Sequence, residues 1–297
     1  MRQPPPLQQG DRLSIVAPSG PIRDWQKFHQ GLDIWRRGGY ELDIPTDIDA
    51  SWGYLAGTDS HRCHQWQKAW TDPDTKAIVC ARGGYGAMRL LETLGDQFFP
   101  WEQSAKWLIG FSDITALLWA VSHAQHIITL HAPVLTTLAD EPLASIEHLF
   151  NLLENPHYKW QLQGRGWGGG QVQGRLWAGN LTVATSLMGT PCLPNLEGAI
   201  LALEDIYEVP YRLDRLLTQW RCSGQLWHIK GIALGRFSET ETDLPSLTLA
   251  EMFLDRLQDL GIPIVSDLPF GHGGCNMALP VGQMVCLDGD RGLLGTV

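Results

Sequence analysis

The chain has 297 residues, of which 44% are hydrophobic and 18% charged, which is a globular composition long enough for one large domain or two ordinary ones. A formal net charge of −10 without any basic run argues against nucleic-acid binding, which draws on clustered Lys and Arg. No segment approaches the roughly 18 apolar residues of a membrane helix, and the N-terminus has no signal-like apolar core. We therefore expect a soluble, cytoplasmic protein that does not act at membranes.

The first half of the chain alternates short apolar runs with segments of helical spacing. Such alternation predicts βαβ units around a parallel sheet, and in these sheets chemistry collects at the carboxyl ends of the strands. The predicted strands are 12–18, 40–44, 76–80 and 106–109, and the predicted helices are 25–38, 61–70, 85–94 and 114–123.

A glycine-rich stretch, 161–171, has the composition of a linker or mobile loop. We therefore predict an N-terminal α/β domain over 1–163 and a smaller, mixed α+β domain over 164–297, whose topology the pattern does not specify. Predicted strands in this second domain are 199–203, 229–234 and 284–287, and predicted helices are 181–188, 211–220 and 246–260.

The run Gly110-Phe-Ser-Asp113 follows the fourth strand and leads into a helix. A serine at such a turn resembles a nucleophile elbow, although Ile114 stands where the G-x-S-x-G pattern has its second glycine. Ser is also a preferred helix N-cap, and on local grounds alone the cap is favoured. Both interpretations of Ser112 stay open at this point.

The turn after the third strand, Ala81-Arg-Gly-Gly-Tyr-Gly-Ala87, satisfies neither the dinucleotide fingerprint nor the P-loop pattern. Its glycines permit close approach of a ligand to the backbone, but they also serve ordinary tight turns. Arg82 is a candidate to bind a substrate carboxylate, with an intramolecular ion pair as the alternative.

A serine nucleophile needs a base, and the base needs a group that orients it. His272 is the candidate base because it lies in a Gly- and Pro-rich loop, where function is often carried. Glu204, directly after an apolar strand, is the candidate acid, and Asp205 competes with it because spacing does not separate the two. His61 and His64 have a spacing that suits a metal, but a solvated helix face is favoured there.

These motifs, in this order, resemble the LD-carboxypeptidases, a group of serine peptidases that also includes microcin-immunity proteins. The resemblance extends over nearly the whole chain. It rests on GDRLSIVAPSG at 10–20, AGTD at 56–59, ARGGYGA at 81–87, GFSDIT at 110–115, LHAP at 130–133, AGNL at 178–181, LED at 203–205, YRLDR at 211–215 and GHG at 271–273.

The resemblance implies a catalytic triad with Ser112 as nucleophile, His272 as general base and then acid, and Glu204 as the orienting group. It also implies an oxyanion hole made by the backbone N–H groups of Gly84 and Asp113. Members of this family have an N-terminal flavodoxin-like or Rossmann-like domain and a β-rich C-terminal domain. They are commonly homodimers and need no metal or other cofactor. With the boundary near residue 165, the active site would lie at the interface of the two domains.

The resemblance predicts a cytoplasmic enzyme that removes the terminal D-alanine from murein tetrapeptides during peptidoglycan recycling. Two other functions remain open. The first is an amidase that acts on aminoacyl or peptidyl nucleotide toxins, as in the immunity branch of the family. The second is a non-catalytic module that binds sugars or peptides and uses some of the 13 tryptophans.

Overall fold

The computed structural model describes residues 1–95 and 105–297, which form two compact units. The first unit contains Met1–Tyr158 and Met277–Gly282, and the second contains Lys159–Asn276 and Gln283–Val297. The chain thus changes unit a few residues before the boundary predicted at 163, and it returns to the first unit for one short segment.

The described residues form the following strands and helices in chain order. The strands are β1 Arg12–Val16, β2 Glu41–Asp43, β3 Thr75–Cys80, β4 Trp107–Gly110, β5 Thr129–His131, β6 Gln161–Gln163, β7 Arg165–Gly166, β8 Gln171–Asn180, β9 Ala199–Ile206, β10 Gly231–Ser238, β11 Ile264–Ser266, β12 Leu279–Val281, β13 Met284–Asp288 and β14 Leu293–Thr296. The helices are α1 Trp25–Arg37, α2 Asp59–Thr71, α3 Ala87–Leu94, α4 Thr115–Gln125, α5 Leu135–Leu138, α6 Leu143–Glu154, α7 Leu181–Ser186, α8 Pro210–Cys222 and α9 Leu249–Leu257.

The first unit is built on a six-stranded sheet in the order β12-β5-β4-β3-β1-β2. Strands β1 to β5 pair in parallel, which confirms the predicted α/β class. The continuous apolar runs of β3 and β4 are buried, as expected for a parallel sheet covered on both faces. Segment 277–282 belongs to this unit because β12 pairs antiparallel with β5.

The second unit is built on an eight-stranded sheet in the order β6-β14-β13-β8-β9-β10-β11-β7. Its central strands β8 to β11 are parallel, whereas the outer pairs are antiparallel. Together with α7, α8 and α9, this sheet makes the predicted β-rich α+β unit.

The glycine-rich stretch 161–171 is not the linker that its composition indicates, because it forms β6, β7 and the first residue of β8. A β-carbon on Gly164 would overlap the carbonyl oxygen of Ser266, and one on Gly166 would overlap that of Gly289. These two glycines therefore allow backbones to pack closely in a sheet. Among the described residues, no helix has the length and apolarity needed to cross a bilayer.

Candidate active site

Ser112 lies directly after a strand of the first unit, at the start of a helix. Strand β4 ends at Gly110, Phe111 continues in extended conformation, and Ser112 then adopts a φ of 63°. Ser112 begins a single 3₁₀ turn that runs into α4. A non-glycine residue at positive φ costs about 1–3 kcal/mol, and such strain is concentrated at functional sites. The geometry is that of a strand–turn–helix elbow.

The helix-cap interpretation of Ser112 is not supported. Neither the 3₁₀ turn nor α4 has a side-chain hydrogen bond at its N-terminal cap position. Within residues 1–95 and 105–297, the Ser112 hydroxyl makes no hydrogen bond, and the residue is only partly buried. The hydroxyl is therefore available for chemistry, and the local preference of serine for a helix cap is not realised here.

Two glycines make the elbow sterically possible. A β-carbon on Gly110 would lie 2.8 Å from Cγ2 of Ile114, the residue that replaces the second glycine of the elbow pattern. Gly110 thus provides the space that Ile114 occupies. Gly83, in the turn after β3, leaves room in the same way for the Ser112 side chain.

The Asp113 carboxylate joins the elbow to two other segments of the first unit. Its Oδ2 atom accepts hydrogen bonds from the Ser19 hydroxyl at 2.6 Å and from the Ala87 N–H at 2.8 Å. Burial raises the pKa of Asp113, and the two donors oppose that shift only in part. Sequence reasoning considered only the backbone of Asp113 and missed Ser19, although the run from Val16 to Gly20 placed Ser19 at the carboxyl end of β1.

The two predicted oxyanion-hole donors also lie in the first unit. Gly84 has a φ of 115° in the exposed turn between β3 and α3, and Asp113 is the residue after the elbow serine. In the described part of the chain, neither main-chain N–H donates a hydrogen bond. Both donors are therefore free to bind a ligand oxygen.

Arg82 lies beside the same turn. Its Nη1 donates a hydrogen bond to the Pro21 carbonyl at 3.3 Å, and a β-carbon on Gly20 would overlap that nitrogen. Burial, together with the positive charge of Arg23, lowers the pKa of Arg82. The alternative of an intramolecular ion pair is not supported, because among the described residues no carboxylate lies within ion-pair distance of its guanidinium.

In the second unit, Glu204 and His272 form a hydrogen-bonded pair. Glu204 is fully buried near the end of β9, and its Oε2 accepts a hydrogen bond from Nδ1 of His272 at 2.6 Å. The same oxygen accepts a hydrogen bond from the His272 backbone N–H at 3.1 Å. Because Nδ1 is held by Glu204, exchange of a proton with a substrate falls to Nε2.

The loop that carries His272 is fitted closely to Glu204. Gly271 has a φ of 99°, and a β-carbon there would lie 2.6 Å from Cβ of Glu204. The Gly271 N–H donates a hydrogen bond to Oδ1 of the buried Asn276 at 2.9 Å. Asn276 was not predicted, because a single Asn after a glycine-rich loop carries no distinctive signal.

Asp205, the competing acid, has a different role. It accepts hydrogen bonds from the Asn180 side chain at 2.8 Å and from the backbone N–H and hydroxyl of Thr182 at 2.9 and 2.8 Å. These contacts hold Asp205 at the N-terminus of α7, where Asn180 is the cap residue. The structure therefore brings Glu204, and not Asp205, into contact with the His272 ring.

The environment of His272 favours its charged form. Burial alone lowers the pKa of the imidazole, but the hydrogen bond and the charge of Glu204, with the nearby charge of Asp205, outweigh burial and raise the pKa above its usual value. A carboxylate that stabilises an imidazolium in this way is suited to a histidine that takes up a proton during a reaction.

The predicted site residues are thus distributed over both units. Ser112, Arg82, Gly84 and Asp113 belong to the first unit, and the pair of Glu204 and His272 belongs to the second. Asp47 binds Nε2 of His61 at 2.6 Å, and His64 is exposed on α2. In the described ranges, no three His, Cys, Asp or Glu side chains are grouped as a metal site would require.

Comparison with protein families gives two matches that together extend over most of the chain. A model of the LD-carboxypeptidase N-terminal domain matches residues 13–132, and a model of the LD-carboxypeptidase C-terminal domain matches residues 173–287. These ranges contain Ser112 in the first match and Glu204 and His272 in the second.

Individual relatives agree with the family matches. A Synechocystis protein that is named only as a carboxypeptidase is 52% identical over 98% of this chain and 96% of its own. The murein tetrapeptide carboxypeptidase of Pseudomonas aeruginosa is 34% identical over 94% of both chains. Among solved structures, muramoyltetrapeptide carboxypeptidase from Oxalobacter formigenes superposes with a TM-score of 0.84 at 30% identity, over 96% of this chain and 97% of that one.

Proposed function

The chain belongs to the LD-carboxypeptidase family and is a serine-type carboxypeptidase, and on that premise we propose that it removes the C-terminal D-alanine from murein tetrapeptides. The substrate is proposed from the relatives that are named for murein or muramoyl tetrapeptides. The catalytic groups are Ser112, His272 and Glu204. The observation that carries the proposal is the buried carboxylate of Glu204 bound to Nδ1 of His272 at 2.6 Å.

The first half of the reaction forms an acyl-enzyme. The Ser112 oxygen attacks the carbonyl carbon of the peptide bond before D-alanine, while Nε2 of His272 takes the hydroxyl proton. The carbonyl oxygen becomes an oxyanion, to which the N–H groups of Gly84 and Asp113 donate hydrogen bonds. When the carbon–nitrogen bond breaks, His272 returns the proton to the leaving amine of D-alanine.

The second half reverses these roles with water. His272 removes a proton from a water molecule that attacks the acyl carbon, and the same histidine then protonates the Ser112 oxygen as it leaves. Glu204 stabilises the imidazolium in both halves, in line with its effect on the pKa of His272. No metal is needed, because His272 activates the hydroxyl and the N–H donors stabilise the oxyanion.

Arg82 is proposed to bind the terminal carboxylate of the departing D-alanine. Support comes from its position in the turn that also holds Gly84, and from a guanidinium without an acidic partner among the described residues. An arginine–carboxylate contact is strong and directional, and a carboxypeptidase must recognise the free C-terminus of its substrate.

The proposal is tested by incubating the protein with L-Ala-γ-D-Glu-meso-diaminopimelate-D-Ala and measuring free D-alanine. We expect release by the wild type and a loss of about 10⁴-fold or more in Ser112→Ala, as for other triads. Ser60→Ala is the matched control, since Ser60 is an exposed serine in the first turn of α2. Full activity in Ser112→Ala would exclude the mechanism.

The substrate is tested separately from the mechanism. Cleavage of an aminoacyl sulfamoyl-adenylate without cleavage of the tetrapeptide would reject the murein substrate and favour the immunity-type amidase. Binding of ligand, seen by tryptophan fluorescence, without turnover of either compound would favour the binding module. The proposal also includes a cytoplasmic homodimer, which cell fractionation and sedimentation analysis would test.

A further inference from the structure

Arg236 lies in an irregularity of the sheet opposite residue Glu204. The pairing of β9 with β10 shifts between Leu234 and Phe237, so that two residues of β10, Gly235 and Arg236, stand opposite Glu204. Such a bulge locally bends a strand and redirects a side chain, and bulges are frequent beside active sites. Of the two residues in this irregularity, only Arg236 has a side chain.

Arg236 holds the backbone on both sides of His272. Its main-chain N–H donates a hydrogen bond to the Phe270 carbonyl at 2.9 Å. Its Nη1 donates a second hydrogen bond, also of 2.9 Å, to the carbonyl of Gly273, the residue directly after the histidine. The segment 271–274, which we call the histidine loop, is therefore fixed to β10 at both ends.

Two glycines, Gly235 and Gly274, make room for the contacts of Arg236 with the histidine loop. A β-carbon on Gly274 would overlap the guanidinium of Arg236, and a β-carbon on Gly235 would lie 2.6 Å from the Phe270 carbonyl oxygen. The approach of Gly235 to the Phe270 main chain requires a residue without a side chain, and Gly274 leaves room for the guanidinium beside the Gly273 carbonyl. Within the ranges that the structure describes, no carboxylate is in ion-pair contact with Arg236. Its charge therefore strengthens the bond to the Gly273 carbonyl.

We propose that Arg236 is a positioning residue that holds the histidine loop and so fixes the direction of the His272 imidazole during the reaction. Glu204 holds the ring from Nδ1, whereas Arg236 holds the backbone from which the ring extends. The proposal rests on the proposed role of His272 as general base. A base must be held within hydrogen-bond reach of its proton, and a misplacement of about 1 Å can cost about 10²-fold in rate.

Two variants with the same apolar stem isolate the hydrogen bond. Arg236→Met keeps the stem and removes the donor, and we expect kcat to fall about 10- to 100-fold with KM changed less than about twofold. Arg236→Lys keeps a cationic donor, and we expect an intermediate kcat. The control is Arg221→Met, because Arg221 also donates to a backbone carbonyl, that of Arg256, on α9 of the same unit. We expect Arg221→Met to retain kcat.

A rescue experiment uses the cavity beside Arg236. This cavity of about 800 Å³ is lined by Arg236 together with Trp167, Phe237 and Phe253, so a small cation can reach the place of the deleted side chain. We expect guanidinium ion, at concentrations that do not unfold the wild type, to raise the kcat of Arg236→Ala at least severalfold. It should leave Arg236→Met unchanged, since methionine fills the position.

The labelling rate of Ser112 by a fluorophosphonate separates this inference from the proposed substrate. This rate depends on the histidine base and not on the peptide, so it should fall in Arg236→Met even where the tetrapeptide proves to be the wrong substrate. Thermal melts of every variant show which are folded. If Arg236→Met is unfolded, the labelling rate and kcat of Arg236→Lys are compared with those of the wild type instead. Wild-type labelling and kcat in folded Arg236→Met, or in Arg236→Ala without guanidinium, would overturn the proposal.

Discussion

Gly83 and Ser112 are in such close contact that a β-carbon on Gly83 would lie 3.0 Å from Cβ and 3.1 Å from Oγ of the serine. Gly83 is not among the glycines with a positive φ, so alanine at this position does not incur the cost of a left-handed conformation. A methyl group at this position therefore requires the Ser112 side chain to move by a few tenths of an ångström.

We predict that Gly83→Ala displaces the Ser112 side chain by a few tenths of an ångström. The expected result is a loss of about tenfold or more in kcat, because attack requires near-perfect alignment. The control is Gly38→Ala at the end of α1, where the added carbon would approach the Tyr40 ring to 3.1 Å, far along the chain from Ser112. Equal kcat in the two variants, measured on the tetrapeptide, would contradict the prediction.

The pH dependence of activity should depend on Glu204. The His272 imidazole must be neutral to accept a proton, so kcat/KM should rise with pH through the His272 pKa, which lies above 6.5. In Glu204→Gln the stabilising charge is lost and burial dominates, so the rising limb should move to lower pH. The maximal rate should fall by up to about 10⁴-fold, because the orienting carboxylate is lost.

Asp205→Asn is the comparison for this pH profile. Asp205 also raises the His272 pKa by its charge, but its carboxylate accepts hydrogen bonds from Thr182 at the N-terminus of α7 and not from the His272 ring. We expect a smaller shift of the rising limb in the same direction, and a loss of stability of about 1–3 kcal/mol from the disturbed cap. A larger shift in Asp205→Asn than in Glu204→Gln would exclude Glu204 as the main partner of His272.

Spacing along the chain does not separate Glu204 from Asp205, and only the family resemblance assigned the orienting role to Glu204. Adjacent residues of a strand point to opposite faces of a sheet, and spacing alone does not indicate which face meets the histidine. The local pattern did predict β4 and the turn that holds Ser112, because an apolar strand followed by glycine and a helix is a local signal. The roles proposed for Ser112 and His272 came from the family resemblance and not from that pattern. The local pattern did not indicate Arg236. A bulge depends on the register between two strands, so the sequence of one strand alone does not show it.

The error at 161–171 has a related cause. Composition does not distinguish glycines that give mobility from glycines that admit a neighbouring backbone, and Gly164 and Gly166 are of the second kind. The sequence also did not predict that 277–282 belongs to the first unit, because the pattern of a three-residue edge strand such as β12 is too short to be recognised. In both segments the structure depends on contacts with residues far along the chain, and local propensity does not reveal them.

Substitution of the buried Asp113 should change the stability of the protein. Both of its donors, Ser19 and the Ala87 N–H, bind the same oxygen, Oδ2. In Asp113→Asn a carbonyl oxygen at that position can keep both bonds without a buried charge, so we expect stability at neutral pH to be equal to or above that of the wild type. Asp113→Ala loses both bonds and should cost about 1–3 kcal/mol, because buried donors are left unpaired.

The contribution of Asp113 to the free energy of unfolding depends on pH. Burial raises the pKa of Asp113 above 3.8, so the folded protein binds more protons than the unfolded chain just above that pH. Wild-type stability from this group therefore falls as pH rises through the folded pKa, and Asp113→Asn lacks that fall. Denaturant melts across pH should show the advantage of the Asn variant growing with pH and then levelling off.

The stability of two inactive variants should reveal the strain at Ser112. Alanine keeps the β-carbon and therefore the cost of a φ of 63°, whereas glycine adopts this conformation freely. The relief of strain is offset in part by the greater freedom of glycine in the unfolded chain, so we expect Ser112→Gly to be more stable than Ser112→Ala by about 1 kcal/mol. Denaturant unfolding of both variants measures the difference. Ser60→Gly and Ser60→Ala give the opposite order at an unstrained helical position, where glycine is unfavourable. If glycine were destabilising at both positions, the elbow would store no strain and the nucleophile would be held by packing alone.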